Sequence, residues 1–224
     1  MTVFQTHCKT PDEWRDVFAA SRPSGGFKTL LFDPPWPWMA RSEKGMGKSP
    51  EAHYDTMSIQ DIAAIPVSAL AAKDCALFVW CTWPLMPEWH HVIKAWGFEY
   101  AGLAWEWLKF NPETGKYAFG PGYGTRKNVE PCLLATLGNP SLRKPTEFFG
   151  DIADPEGVRS VRDFMEHCPL GHIRAPRQQH SAKPDEQYDR IETLFDGPYC
   201  EVFARRPRKG WTVIGDQTGG SSDA

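Results

Sequence analysis

Asp33-Pro34-Pro35-Trp36 sets a carboxylate, two carbonyls with no N–H donor beside them and an aromatic ring in direct succession. A group that needs acceptors and a flat ring together is the exocyclic amine of a nucleobase, with two N–H hydrogens to be accepted and a π face to be stacked on. Enzymes acting on such an amine take the base out of its stack and hold it in a pocket. A strand-ending Asp-Pro turn with a tryptophan packed over it is the structural alternative for the same residues. Lys183 precedes Pro184, where the pattern predicts a helix to open, so a full positive charge would join unpaired N–H groups in a setting suited to a carboxylate. Asp216 follows an apolar run at Trp211–Ile214, where α/β folds place the acid that partners ribose hydroxyls; an ordinary Gly-Asp turn is the alternative there.

These groups need elements to position them. Lys28–Phe32 is a short apolar run between Gly25-Gly26 and Pro34, the pattern of a buried strand that ends at Asp33. The carboxyl edge of an open α/β sheet is where ligands bind, which makes Asp33 a site candidate by position. Residues 11–20 predict a helix begun by Pro11, Asp12 and Glu13, and Ser58 with Asp61 predicts a capping box for a helix that Pro66 ends. Cys75–Cys81 is continuously apolar, as in a strand covered on both faces. Pro84 opens a helix closed at Gly97, residues 99–110 form an aromatic strand, and Pro131–Leu137 with His172–Ala175 form a third strand pair. Pro184 opens a helix with apolar face Tyr188, Ile191, Leu194 and Phe195, followed by strands Tyr199–Ala204 and Trp211–Ile214. Strands alternating with helices predict an α/β fold with a mostly parallel sheet.

The string Asp33-Pro34-Pro35-Trp36 resembles the signature of the adenine-N6 methyltransferases of the MT-A-seventy type, which include the catalytic subunit of the eukaryotic messenger-RNA methyltransferase and many phage and bacterial relatives. The resemblance extends from Phe27 to Gly220 and includes Tyr54-Asp55-Thr56-Met57-Ser58, Leu77-Phe78-Val79-Trp80, Asn128-Val129-Glu130-Pro131-Cys132, Gly138-Asn139-Pro140, Lys183-Pro184-Asp185-Glu186 with Tyr188, and Gly215-Asp216-Gln217. It implies a Rossmann-like methyltransferase fold, helices on both faces of the sheet, motifs in permuted order, and S-adenosylmethionine as cofactor. Asp33 and Lys183 would lie near the methionine moiety, and Arg205, Asp216 and Gln217 near the adenosine. Asp216 stands where the eukaryotic relative has Asn, and either accepts from ribose. The chemistry of the amine makes Asp33 and the Pro34 carbonyl its acceptors and Trp36 its stacking partner, with Tyr54 and Trp107 as further pocket walls. A catalytically silent nucleic-acid-binding partner subunit, an RNA adenine-N6 enzyme and a DNA cytosine-N4 enzyme are the alternatives.

With 224 residues the chain fits one domain, divided into an N-terminal extension (1–24), active-site loops (37–55 and 111–128), an insertion (138–171) and a flexible tail (219–224). A net charge of −3 excludes a protein that coats nucleic acid by charge alone. Phosphate contact would fall to Arg41, Lys44 and Lys48 on the first loop, Arg126 and Lys127 on the second, and the run Arg205-Arg206-Pro207-Arg208-Lys209, although such runs are usually solvated faces. DNA is expected over RNA, with lax sequence context and a bias to unpaired strands, because flipping costs least there. Six cysteines without a CxxC pair read as buried thiols of a cytoplasmic protein, with no metal site. No stretch approaches membrane-spanning length. No G-x-G-x-x-G follows a strand, which argues against a nicotinamide enzyme. Self-pairing, or pairing with another subunit, is the expected assembly.

Overall fold

Apolar runs bounded by glycine, proline and acid become strands. The computed structural model describes residues 2–5, 8–37, 56–119, 128–143, 171–178 and 182–215. Its strands are β1 (Thr2–Gln5), β2 (Phe27–Phe32), β3 (Ala71–Trp80), β4 (Glu99–Phe110), β5 (Val129–Leu137), β6 (His172–Pro176), β7 (Tyr199–Val202) and β8 (Trp211–Gly215). Its α-helices are α1 (Pro11–Ser21), α2 (Ile59–Ala64), α3 (Met86–Ala95) and α4 (Glu186–Leu194). All eight strands form one sheet in the order β1-β8-β7-β2-β3-β5-β4-β6. Every pairing is parallel except the two made by β5. The expected α/β fold with a mostly parallel sheet is the observed one.

The period-2 alternation of the central strands sends their side chains into two cores. Leu30, Phe32, Leu77 and Val79 pack with Trp14 and Phe18 of α1, Ile62 of α2 and Trp89, Val92 and Ile93 of α3. Leu31, Ala76, Phe78 and Trp80 face the other way, against Tyr188 and Ile191 of α4 and against Trp105, Trp107 and Trp211. Both faces of β2 and β3 are therefore buried, which is why these strands read as unbroken apolar runs. Each buried aromatic contributes about 2–3 kcal/mol of apolar transfer, and offset stacking, as between Phe78 and Trp105 at 5.2 Å, adds to it. Gly26, at φ 83°, delivers the chain into β2, and a Cβ there would lie 2.4 Å from the Ala71 carbonyl oxygen.

Helix ends follow the local signals. Thr10 caps α1 in a reciprocal box with Glu13, and Ser58 accepts from the Asp61 N–H at the start of α2. The N-terminal extension adds an edge strand, because β1 pairs in parallel with β8. Two expectations are corrected. His172–Pro176 does not pair with the strand at 131–137: β5 is enclosed by β3 and β4, and β6 instead extends the outer side of β4. Helix α4 starts at Glu186 rather than Pro184, since the Pro184 and Asp185 carbonyls first accept the Gln187 and Tyr188 N–H groups in a tight turn.

Candidate active site

Parallel β2, β3, β7 and β8 bring their carboxyl ends to one edge of the sheet. Antiparallel β5 brings its amino end there, and β4, reversed again, its carboxyl end. Asp33 follows β2 at this edge, Glu130 begins β5 opposite Trp107, and Lys109 lies near the end of β4. Lys183 arrives from the turn before α4.

The four side chains form a chain of alternating charge. The Lys183 ammonium donates to both Asp33 oxygens at 2.8 Å and is paired with Glu130 Oε1 at 2.9 Å. Glu130 Oε2 accepts from the Lys109 ammonium. Lys183, Asp33 and Glu130 retain 7%, 15% and 13% of their side-chain exposure. Trp80 frames the cluster: its indole N–H donates to Gln187 Oε1 at 2.6 Å, its carbonyl accepts the Trp36 indole N–H at 2.7 Å, and its ring centroid lies 5.5 Å from the Lys183 ammonium. Burial raises the Glu130 carboxyl's pKa, but the Lys183 and Lys109 ammoniums outweigh that and hold it down at about 2. Burial favours neutral Lys183; Asp33 first, then Glu130, reverse this and raise its pKa above the ordinary lysine value. A buried ionic network is an expensive way to stabilise a fold, since well-packed apolar residues often do as well. Its position at the carboxyl edge of the sheet makes it the candidate functional cluster.

Glu201 of β7 is a second buried carboxyl, accepting from the Tyr188 hydroxyl at 2.9 Å. Burial pushes its pKa up to about 7, the Tyr188 hydrogen bond opposes the rise and the nearby Asp33 charge adds to it. Below pH 4.5 the group is protonated in folded and unfolded chains alike; between 4.5 and 7 only the unfolded chain releases the proton. Stability from this group is therefore present at low pH and falls by about 3 kcal/mol as pH rises to 7. Glu201→Gln should remove that fall while keeping an acceptor for Tyr188. Denaturant titrations at pH 5 and pH 7 check it, and equal slopes for the two proteins would rule it out.

At the end of β7, Phe203 takes φ 65°, a left-handed conformation that costs a bulky residue about 1–2 kcal/mol. Its ring is held 5.3 Å from Trp14 and 6.3 Å from Phe32. The chain then leads into part-buried Arg205, and Gly215 at the end of β8 passes so close that a Cβ would stand 2.0 Å from the Ala204 carbonyl oxygen. Asp33, Arg205 and the end of β8 thus share the edge where a cofactor would bind.

Several sequence expectations are refined here. The Lys183 charge is already engaged by Asp33 and Glu130 rather than waiting for a ligand carboxylate. The Pro34 carbonyl accepts the Trp36 N–H at 2.8 Å and the Pro35 carbonyl accepts the Met57 N–H at 2.9 Å, leaving one lone pair on each. Trp36 is 7% exposed and its indole N–H is hydrogen-bonded to the Trp80 carbonyl, so its ring is held in a fixed place. Trp107 has no exposed surface and donates to the Ala175 carbonyl, which makes it a core residue. Arg206 pairs with Asp185 and Arg208 with Asp189, which links the β7–β8 connection to α4. Tyr54, Arg41, Lys44, Lys48, Arg126, Lys127, Asp216 and Gln217 lie outside the described residues.

Sequence reasoning did not assign Glu130, Lys109, Trp80 and Gln187 to the site. One signal was available: Glu130 bounds an apolar run at its amino end as Asp33 bounds one at its carboxyl end, and antiparallel pairing brings those ends together. Four buried cysteines (Cys75, Cys81, Cys132 and Cys200) have pKa values raised by burial, to about 12 for Cys75, which keeps the thiols neutral. Among the described residues no group of His, Cys, Asp and Glu could hold a metal ion, and no helix is long and apolar enough to cross a membrane.

Residues 27–217 match the family described as MT-A70. The chain is 26% identical over 205 residues to the type II methyltransferase M.MunI of Mycoplasma sp, covering 84% of this chain and 76% of that protein. It is 25% identical to the N(6)-adenine-specific methyltransferase METTL4 of Mus musculus and 27% identical to that of Homo sapiens. Each of those two matches covers 85% of this chain but only 37% of the longer METTL4 protein.

Proposed function

The chain belongs to the MT-A70 family, and from that premise we propose that it transfers a methyl group from S-adenosylmethionine to the N6 amine of adenine in DNA. The observation that carries this reading is the Asp33–Lys183 pair, which fixes a carboxylate at the carboxyl end of β2 beside a proline carbonyl with a lone pair to spare. S-adenosylmethionine supplies an electrophilic methyl on its sulfonium. Asp33 and Arg205, with Asp216 and Gln217 after β8 in the sequence, would supply the acidic and basic groups that its amino-acid and ribose parts require, with Lys183 acting through Asp33. Asp33 and the Pro34 carbonyl accept the two N–H groups of the amine and turn its nitrogen toward the methyl. Placement and electrostatic stabilisation then carry the step. The Asp33 carboxylate balances positive charge growing on N6 and takes up the proton that the methylated nitrogen releases.

The reading extends to DNA because M.MunI is named a type II methyltransferase and to N6 because METTL4 is named N(6)-adenine-specific. Exposed Lys116, Arg174 and Arg177 with exposed Tyr117 and Phe119 lie about the ends of β4 and β6, at the edge that carries Asp33. Cations interleaved with exposed rings suit a single strand, through phosphate neutralisation and base stacking.

The test is nucleoside mass spectrometry after incubation with labelled S-adenosylmethionine on matched single-stranded DNA, duplex DNA and RNA at two salt concentrations. N6-methyladenine in DNA, fastest on single strands and falling steeply with salt, is the expected product. N4-methylcytosine, a preference for RNA, or no transfer at all would replace this reading with a cytosine enzyme, an RNA enzyme or a silent partner subunit respectively.

A further inference from the structure

Resting on that reading, we propose that Glu130 is a positioning residue for methyl transfer: it fixes the Lys183 ammonium so that Lys183 in turn holds Asp33 in a single orientation. An ammonium has three N–H donors and no acceptor. Two of them are matched by the Asp33 oxygens at 2.8 Å, and Glu130 Oε1 lies 2.9 Å from the same nitrogen. Glu130 cannot swing away, because its second oxygen is held by Lys109, whose ammonium stands 4.5 Å from the Trp107 ring centroid. A single Asp33–Lys183 pair would satisfy the local charge balance. The second carboxylate and second ammonium add direction: they leave the Lys183 ammonium one rotational setting and so give the two Asp33 oxygens fixed places. An acceptor misplaced by a fraction of an ångström loses much of its value in aligning a nucleophile. Glu130 touches neither the amine nor the methyl donor in this scheme and acts through Lys183.

Four proteins test it: wild type, Glu130→Ala, Glu130→Gln and Glu130→Gln combined with Lys109→Met. For Glu130→Ala, kcat should fall about 100-fold while the calorimetric Kd for S-adenosylmethionine stays within about threefold. Glu130→Gln keeps an acceptor for Lys183 but turns an amide N–H toward Lys109, so its kcat should be intermediate; adding Lys109→Met relieves that clash but also removes the anchor on residue 130, so kcat should recover only in part. The side-chain 15N resonance of Lys183, assigned by its absence from Lys183→Met, should be slow-exchanging in wild type and lost in Glu130→Ala. A merely structural Glu130 would lower the melting temperature and leave kcat and that resonance in place. A Glu130→Ala kcat within about threefold of wild type, a loss confined to the cofactor Kd, or an unchanged Lys183 resonance overturns the proposal. If Glu130→Ala does not fold, the ordering of Glu130→Gln below its double variant decides by the same criteria. If wild type transfers no methyl group, the functional reading fails, while the Lys183 resonance still decides whether Glu130 fixes the ammonium.

Discussion

Asp33→Asn is expected to lower kcat at least about a thousandfold, a barrier increase of about 4 kcal/mol, in a protein that remains folded. The change is nearly isosteric, so the two cores on either side of β2 are untouched. What it removes is the negative charge facing the amine, together with one of two acceptor oxygens. The amide N–H that replaces the second oxygen points at the Lys183 ammonium or at the substrate amine, and neither can accept it. Glu130 remains to hold Lys183, which protects the variant from exposing an unpaired buried cation. Steady-state kinetics with calorimetric measurement of S-adenosylmethionine binding separates the chemical step from cofactor affinity. A folded variant that keeps more than about a tenth of wild-type kcat, a barrier change under about 1.4 kcal/mol, would remove Asp33 from the reaction.

Lys183→Met should cost about 3–5 kcal/mol of stability at pH 7 as well as nearly all activity. The apolar part of the side chain is replaced, but Asp33 and Glu130 are left sharing a largely buried space without the ammonium between them. Lys109 still pairs with Glu130, which keeps the loss below that of an isolated buried pair of anions. The pH dependence distinguishes this from ordinary loss of packing. In wild type the Glu130 pKa lies at about 2 against an ordinary 4.5, so its contribution is present above pH 4.5 and is lost as pH falls toward 2. Without Lys183, burial and the neighbouring Asp33 raise that pKa, so the variant gains stability relative to wild type on acidification. Unfolding titrations at pH 3, 5 and 7 read both slopes, and a variant that tracks wild type at every pH would show that Lys183 carries no structural charge.

The strand at Phe27–Phe32 and its abrupt end at Asp33 were readable because the causes are local: a continuous apolar run buries on both faces, and Pro34 cannot continue it. The cap at Ser58–Asp61 follows from a side chain within one turn of the backbone group it satisfies. Pairing was less legible. The sequence at His172–Pro176 states that it is a strand, but its partner depends on which sheet edge remains open once β5 has been enclosed between β3 and β4.

The site divides along the same line. Sequence alone determined that Asp33 stands at the carboxyl end of a strand, that Lys183 sits at the approach to a helix, and which family the chain belongs to, since these rest on short motifs whose meaning is fixed by neighbouring residues. Only the tertiary structure decided what Lys183 touches. Its partners come from β2 and from the amino end of antiparallel β5, and Lys109 comes from β4, segments far apart in the chain that meet because strand direction brings their ends to one edge. The same distinction governs the aromatics: composition counts Trp36 and Trp107 as rings available to a base, but whether a ring faces a ligand or the core depends on the strand face and the carbonyl its N–H reaches, and folding directed those two donors to Trp80 and Ala175.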